Sequence, residues 1–275
     1  MSGGDRAAPA RGDGAEAAGD RGATTRATRA EVCVVACAEV WRDAGEILAS
    51  PIGLVPQVGA RLARATFAPQ LLLGDGGAML AAGVWPVGEA PESYEGWLPY
   101  RSVFDLVWSG RRHVMMMPSQ IDRHGNANIS YIGADHRRPD VQLLGVRGAP
   151  GNTVNHPTSY WLPRHSTRAL VPRVDMVAGV GNDSADAAGA GANRFHHLHR
   201  LVTNLGVFDW GGPEGTMRIV SLHPGVGREE VVAATGFDLA ADGEVPETRS
   251  PTAEELRLIR EEIDPHRARD REVRA

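Results

Sequence analysis

The stretch GEILASPIGLVPQVGARLARATFAPQLLLGDGG, residues 45–77, decides the fold class. Its opening segment, Gly45 to Pro51, reads as a short apolar strand. From Val55 to Phe67 apolar residues recur at helical spacing, and Pro69 ends the pattern. Gln70 to Leu73 is a second strand, stopped by Gly74-Asp75-Gly76-Gly77. Strand, helix and strand within about 30 residues is the unit from which parallel sheets are built. The alternation continues on both sides. Upstream, Thr28-x-x-Glu31 is a capping-box pattern ahead of Val32, Val35 and Val40. Downstream, Phe104 to Trp108 reads as helix, Val114 to Met117 as strand, and Val141 to Val146 as a continuous apolar strand. Further strands are expected at Met176–Val180, Arg200–Val202 and Met217–Ser221. Thr252-x-x-Glu255 opens a last helix with Leu256, Ile259 and Ile263 on one face, closing near Pro265. The pattern predicts an α/β fold: an open, largely parallel sheet flanked by helices. Ligands of such sheets sit beyond the carboxyl ends of strands, which directs attention to the Gly-rich stops after Leu73, Met117 and Val146.

Composition bounds the function. The chain has 275 residues, 42% hydrophobic, with a formal net charge of −5, enough to bury a sizeable core. Residues 1–26 carry almost no large apolar side chain and are expected to be a disordered tail; residues 27–265 form the folded domain, and 266–275 a polar, solvated tail. The mild acidity argues against nucleic acid, because the basic stretches at Arg111-Arg112 and Arg137-Arg138 are short. No apolar run reaches the roughly 18 residues of a membrane span, and no signal peptide is visible, so a cytoplasmic location is expected. The two cysteines, Cys33 and Cys37, lie one helical turn apart and read as small buried side chains in a reducing compartment.

Three segments could carry chemistry. In Leu72-Leu73-Gly74-Asp75-Gly76-Gly77-Ala78 a strand ends in a carboxylate flanked by glycines, whose amides can hold a developing oxyanion; an ordinary tight turn gives the same pattern. In Gln120-Ile121-Asp122-Arg123-His124-Gly125-Asn126-Ala127-Asn128 a turn carries more amide side chains than a plain connection requires. In Gly145-Val146-Arg147-Gly148-Ala149-Pro150-Gly151-Asn152-Thr153 a Gly-rich loop leaves a strand and can cradle an anionic or thioester-bearing ligand, without the Lys-Ser/Thr pair of a P-loop. His196-His197-Leu198-His199 has no carboxylate or cysteine at ligand spacing, so no metal is expected. A G-x-S-x-G elbow is missing, against a serine hydrolase of the usual α/β type.

Together the segments resemble the β subunits of class I coenzyme A transferases. Gln120 to Asn128 is similar to that family's Q-[VI]-D-x-x-G-N-x-N stretch. Val202-Thr203-Asn204-Leu205-Gly206-Val207-Phe208-Asp209 is similar to its V-T-[DN]-L-x-V-F segment. Leu222-His223-Pro224-Gly225-Val226, followed by Val232-Ala233-Ala234-Thr235-Gly236, is similar to its closing pattern. The likeness runs from about Ala30 to Pro265 and implies the CoA-transferase fold, with an active site shared with an α-type subunit.

One departure is chemical. The family's transferases carry a nucleophilic glutamate in an S-E-N-G or E-S-G turn, where this chain reads Gly74-Asp75-Gly76-Gly77. Aspartate is one methylene shorter, and covalent catalysis depends on near-attack geometry at the ångström level. With Trp85, Trp97, Trp108 and Trp161, the chain looks like the actinobacterial branch of transferase-like hydrolases that open the last steroid ring in cholesterol breakdown. That resemblance implies hydration and retro-Claisen cleavage of a cyclohexenone carboxyl-CoA, in an α2β2 heterotetramer. The main acid/base glutamate would be on the α subunit, with coenzyme A as part of the substrate and no other cofactor. By the same resemblance Asp75, Gly76 and Gly77 would orient water or polarise the thioester, and Gln120 and Asn126 would shape the pocket. Gly148, Gly151 and Asn152 would line the substrate or CoA site. The alternatives are a genuine 3-oxoacid or glutaconate-type transferase with Asp75 as nucleophile, and a non-catalytic CoA-binding scaffold.

Overall fold

The computed structural model describes residues 26–240 and 243–273. Apart from its last residue, the expected N-terminal tail lies outside the described residues. In chain order the elements are α1 (Arg29–Glu39), β1 (Leu48–Pro51), α2 (Leu54–Ala65), β2 (Leu72–Gly74), β3 (Met79–Ala81), β4 (Tyr94–Trp97), α3 (Tyr100–Ser109) and β5 (Arg112–Met116). Then follow β6 (Gln120–Ile121), β7 (Ala127–Asn128), β8 (Tyr131–Ile132), β9 (Val141–Gln142), α4 (Ala149–Asn155), β10 (Pro157–Leu162), α5 (Asn182–Ala187) and α6 (Ala190–Asn193). The chain closes with β11 (His197–Thr203), β12 (Gly206–Asp209), β13 (Arg218–Leu222), α7 (Arg228–Ala233) and α8 (Ala253–Arg257), the last running into a π-helical turn, Leu258–Ile263.

Nine strands form one sheet in the order β13-β12-β11-β10-β5-β1-β2-β3-β4. The central five, β11 to β2, are parallel, and an antiparallel pair extends each edge. The largely parallel α/β sheet read from residues 45–77 is therefore the structure's centre. Strand β1 is the turning point: α2 carries the chain to β2 on one side, and the return through α3 places β5 on the other.

Side-chain alternation divides the core into two layers. One face of the sheet buries Ala49, Met115, Trp161 and Val202 against α1 and α2. The other buries Val114, Met116, Tyr160, Leu162 and Leu201. Helix α1 starts as the sequence predicts, with Thr28 and Glu31 forming a reciprocal capping box. It packs against α2 at Gly59, where an added Cβ would lie 2.9 Å from Cys37 Cβ and from the Val34 carbonyl oxygen. Only glycine permits that approach. Cys33 and Cys37 are both buried and free, as expected.

Three expectations are corrected. Val141 to Val146 is not a core strand: only Val141–Gln142 pairs, with Tyr131–Ile132, and Val141 and Leu144 are exposed. Met176–Val180 forms no strand and contributes a single bridge, Gly179 to Ala127. The segment after Asp264 is not a solvated tail. Arg269 is buried on Asp264 and Glu31 and Val273 joins the core, while His266, Arg267 and Arg271 stay exposed. Glu272 accepts from the amides of Leu54 and Val55 at 2.8 and 3.0 Å and from Trp161 Nε1 at 2.9 Å, capping α2 from the far end of the chain.

Candidate active site

Beyond the pairings Leu48 to Leu72 and Ala49 to Leu73, strands β1 and β2 part. The crevice between them opens into a cavity of about 350 Å³, lined among others by Ser50, Gln57, Arg61, Asp75, Trp85 and Arg112. This is where an open parallel sheet places its ligands.

Asp75 heads the turn between β2 and β3. Its Oδ1 accepts from the amides of Gly77 at 2.8 Å and Met79 at 3.1 Å, and its own amide donates to the Met79 carbonyl oxygen at 3.0 Å. Gly76 completes the turn at φ +84° with nothing within 4 Å of an added Cβ. The consequence is a correction: the Gly77 amide is taken by the carboxylate beside it and is not free for a substrate oxygen. A carboxylate pinned by two amides of its own turn is also poorly placed to swing into a nucleophilic attack.

Arg112 opens β5 opposite Leu48. Its Nε donates to Ser50 Oγ at 2.9 Å and its Nη1 to Asn152 Oδ1 at 2.6 Å. Burial depresses its pKa. Arg61, on α2, lies with its guanidinium 4.1 Å from the Trp85 ring centroid and donates from Nη1 to the Gln57 carbonyl oxygen at 3.1 Å. Burial pulls its pKa down to about 10. Neither arginine makes an ion pair with a described residue, so the cavity presents two desolvated cations and one carboxylate.

The other predicted residues fall into two groups. Asn152 reaches the cavity wall through Arg112. Gly148 caps α4, and Gly151 lies within it, near Val107. Gln120 and Asn126 do not line this cavity. Gln120 Oε1 accepts from Asn128 Nδ2 and the Asp175 amide, and its Nε2 donates to Asp175 Oδ2 at 3.1 Å. Asn126 bridges Asp122 and Asp183 through Nδ2, while its Oδ1 accepts from the Gly181 amide and Ser184 Oγ. Burial raises the Asp122 pKa against these hydrogen bonds, and Asp183 adds to the rise. These amides hold the buried carboxylate of Asp122 and the exposed ones of Asp175 and Asp183, all three of which line a second, wide cavity of about 1380 Å³. Gly125, at φ +83°, lies so close to Leu198 and Trp210 that a Cβ would meet Leu198 Cδ1 at 2.3 Å.

The remaining signature segments meet at one knot. His223 stands between the Thr203 carbonyl oxygen at 2.9 Å and Thr248 Oγ1 at 3.0 Å. His165 bridges Thr203 Oγ1 and Thr235 Oγ1. His196 engages the Thr153 carbonyl oxygen and Asn182 Oδ1. Among the described residues no group of three or more His, Cys, Asp or Glu side chains could hold a metal ion. No helix among them is long and apolar enough to cross a membrane.

Sequence reasoning missed Ser50, Gln57, Arg61 and Arg112. The signal was present for Arg61, a cation on a helix otherwise buried along Val55, Val58 and Leu62.

No family model matches the chain. Its fold is that of glutaconate coenzyme A-transferase from Acidaminococcus fermentans, with a TM-score of 0.74 and 25% identity, covering 88% of this chain and 96% of that one. With the crevice beyond β1 and β2, this defines the class as a CoA-transferase-fold subunit. The crystal structure of Rhodococcus jostii RHA1 IpdAB is nearer, at TM-score 0.86 and 55% identity, covering 91% of this chain and 100% of that chain. The cholesterol ring-cleaving hydrolase IpdB subunit of Rhodococcus jostii is 55% identical over 249 residues, 90% of this chain and 97% of its own length. The chain belongs to the family of IpdB-type ring-cleaving hydrolase subunits.

Proposed function

We propose that this chain is the β-type half of a heteromeric hydrolase that opens a ring in an acyl-CoA of steroid breakdown. The 55% identity to an IpdB subunit over 90% of the chain carries the reading, and the pinned carboxylate of Asp75 supports it against covalent transfer. Water adds to a cyclohexenone carboxyl-CoA and retro-Claisen cleavage gives a linear acyl-CoA. Coenzyme A enters only as part of the substrate.

This chain's residues bind and orient. Asp75 Oδ2, free of the turn's hydrogen bonds, orients water, while Arg112, held by Ser50 and Asn152, presents positive charge to the acyl group. A partner subunit of α type supplies the principal acid/base and completes an α2β2 assembly. The face of α3 fits that need: none of its residues is buried, and Tyr100 and Trp108 are 79% and 77% exposed beside Phe104. The buried free thiols suit the reducing cytoplasm.

The test is chemical trapping. Turnover in hydroxylamine or borohydride leaves Asp75 unmodified; a covalent adduct, lost in Asp75→Ala, restores the transferase reading.

A further inference from the structure

Three described arginines are at least nine-tenths buried, and two of them pair with carboxylates of this chain. Arg64 pairs with Glu95 and donates to the Ala81 carbonyl oxygen at 2.7 Å. Arg269 pairs with Asp264 and Glu31 at 2.8 and 3.0 Å. Arg61, one helical turn before Arg64 and only 7% exposed, has none among the described residues. Among the described residues its one hydrogen bond goes from Nη1 to the Gln57 carbonyl oxygen, and its Nε is buried without a partner. The guanidinium carbon sits over the Trp85 ring, 4.1 Å from its centroid, and the side chain lines the cavity headed by Asp75. A buried cation without an anion is costly, and a guanidinium fork fits the two oxygens of a carboxylate. Asp75 does not fill the role, because its Oδ1 serves its own turn.

We propose that Arg61 binds the carboxylate that ring cleavage creates, fixing the acyl group at the end away from its thioester. The inference rests on the ring-cleaving reading above. In the cleavage step a water oxygen bonds to the ring ketone carbon, and one water proton goes to the partner's base. The bond from that carbon to the thioester α-carbon breaks, its electron pair passing to the thioester enolate, which takes the proton back. The former ketone carbon leaves as a carboxylic acid and ionises. Negative charge thus gathers first on the tetrahedral oxygen and then on two carboxylate oxygens, the geometry a guanidinium recognises.

The test uses the assembled heteromer and three probes: the linear product acyl-CoA, its analogue with a primary amide in place of the carboxylate, and free CoA. Wild type should bind the carboxylate at least about tenfold more tightly than the amide. Arg61→Met should erase that preference and lower kcat/KM by about 100-fold, with CoA affinity unchanged. Arg61→Lys should keep part of both, and guards against a variant that fails to fold. A preference that survives Arg61→Met overturns the proposal. An equal weakening of CoA and product overturns it too, by assigning Arg61 to a CoA phosphate. Wild-type turnover of the ring substrate is followed in parallel: its absence refutes the ring-cleaving reading and this proposal with it, whereas turnover with a surviving preference refutes the Arg61 assignment alone.

Discussion

Arg112 donates from Nη1 to Asn152 Oδ1 at 2.6 Å, tying the first residue of a central strand to the helix that follows the Gly-rich loop. This bond makes one site of two segments 40 residues apart. Asn152→Ala should release the guanidinium while leaving its Ser50 hydrogen bond, lowering kcat/KM of the assembled enzyme by roughly tenfold, the scale of one hydrogen bond to a charged group. Steady-state kinetics beside a melting curve separates this loss from unfolding.

Asp75 has two separable duties. Asp75→Asn keeps Oδ1 as acceptor for Gly77 and Met79 and should leave stability within about 0.5 kcal/mol while reducing turnover about 10- to 100-fold. Asp75→Ala should lose turnover and also about 1–2 kcal/mol of stability, because two turn hydrogen bonds go with the carboxylate. Denaturant titration of both variants checks the split.

Acid should unfold the protein in two windows. His156, His165 and His223 are buried, and burial pulls each pKa down to about 4 against its backbone hydrogen bond. The unfolded chain therefore binds these protons first. Stability is full above about pH 6.5 and falls as pH drops towards 4, by about 3 kcal/mol or more in total. Chemical denaturation across that range measures the slope.

Glu31 governs the second window. Burial raises its carboxyl pKa, but the Arg260 hydrogen bond, the Thr28 amide and the charges of Arg260 and Arg269 outweigh it and bring it down to about 2. Its folded pKa lies below the unfolded value, so its contribution is present above about pH 4.5 and is lost as pH falls towards 2. Glu31→Gln should flatten the stability profile there and cost on the order of 3 kcal/mol at neutral pH, where two arginines lose their shared anion.

Helix α3 should matter to assembly and little to folding. Trp108→Glu, at a side chain 77% exposed, should leave the isolated chain's melting temperature nearly unchanged. It should weaken association with the α-type partner by about 30-fold or more, as loss of an interface aromatic does. Analytical ultracentrifugation of the mixed subunits reads the difference.

Periodicity and capping made the sheet's centre legible. Thr28-x-x-Glu31, the apolar spacing of α2 and the Gly74–Gly77 stop each describe a local energy that tertiary packing reinforces. Strand β10 escaped because Pro157-Thr158-Ser159-Tyr160-Trp161-Leu162 mixes polar and aromatic residues. Thr158 and Ser159 are buried where hydroxyls find partners, Ser159 Oγ meeting His113 Nε2 at 2.9 Å. Val141 to Val146 misled for the opposite reason: its apolar side chains face outward, and hydropathy alone does not say what covers them.

The site divided the same way. Asp75 was visible because glycines surround it. Arg61 and Arg112 were hidden because a cation's role depends on the absence of a nearby anion, which only the folded chain reveals. The most distinctive motif, Gln120 to Asn128, holds its buried amide side chains in hydrogen bonds to Asp122, Asp175 and Asp183, away from the cavity headed by Asp75, so family signatures here mark structural knots as well as chemistry.

The central claim is hydrolytic ring opening by a heteromer. Its most direct test is to co-purify this chain with its α-type partner and incubate the complex with a cyclohexenone carboxyl-CoA in ¹⁸O-labelled water, without any acceptor acid. The account predicts a linear acyl-CoA whose new carboxylate carries ¹⁸O, formed only when both subunits are present. An intact ring, with CoA appearing on an added free acid, would contradict it.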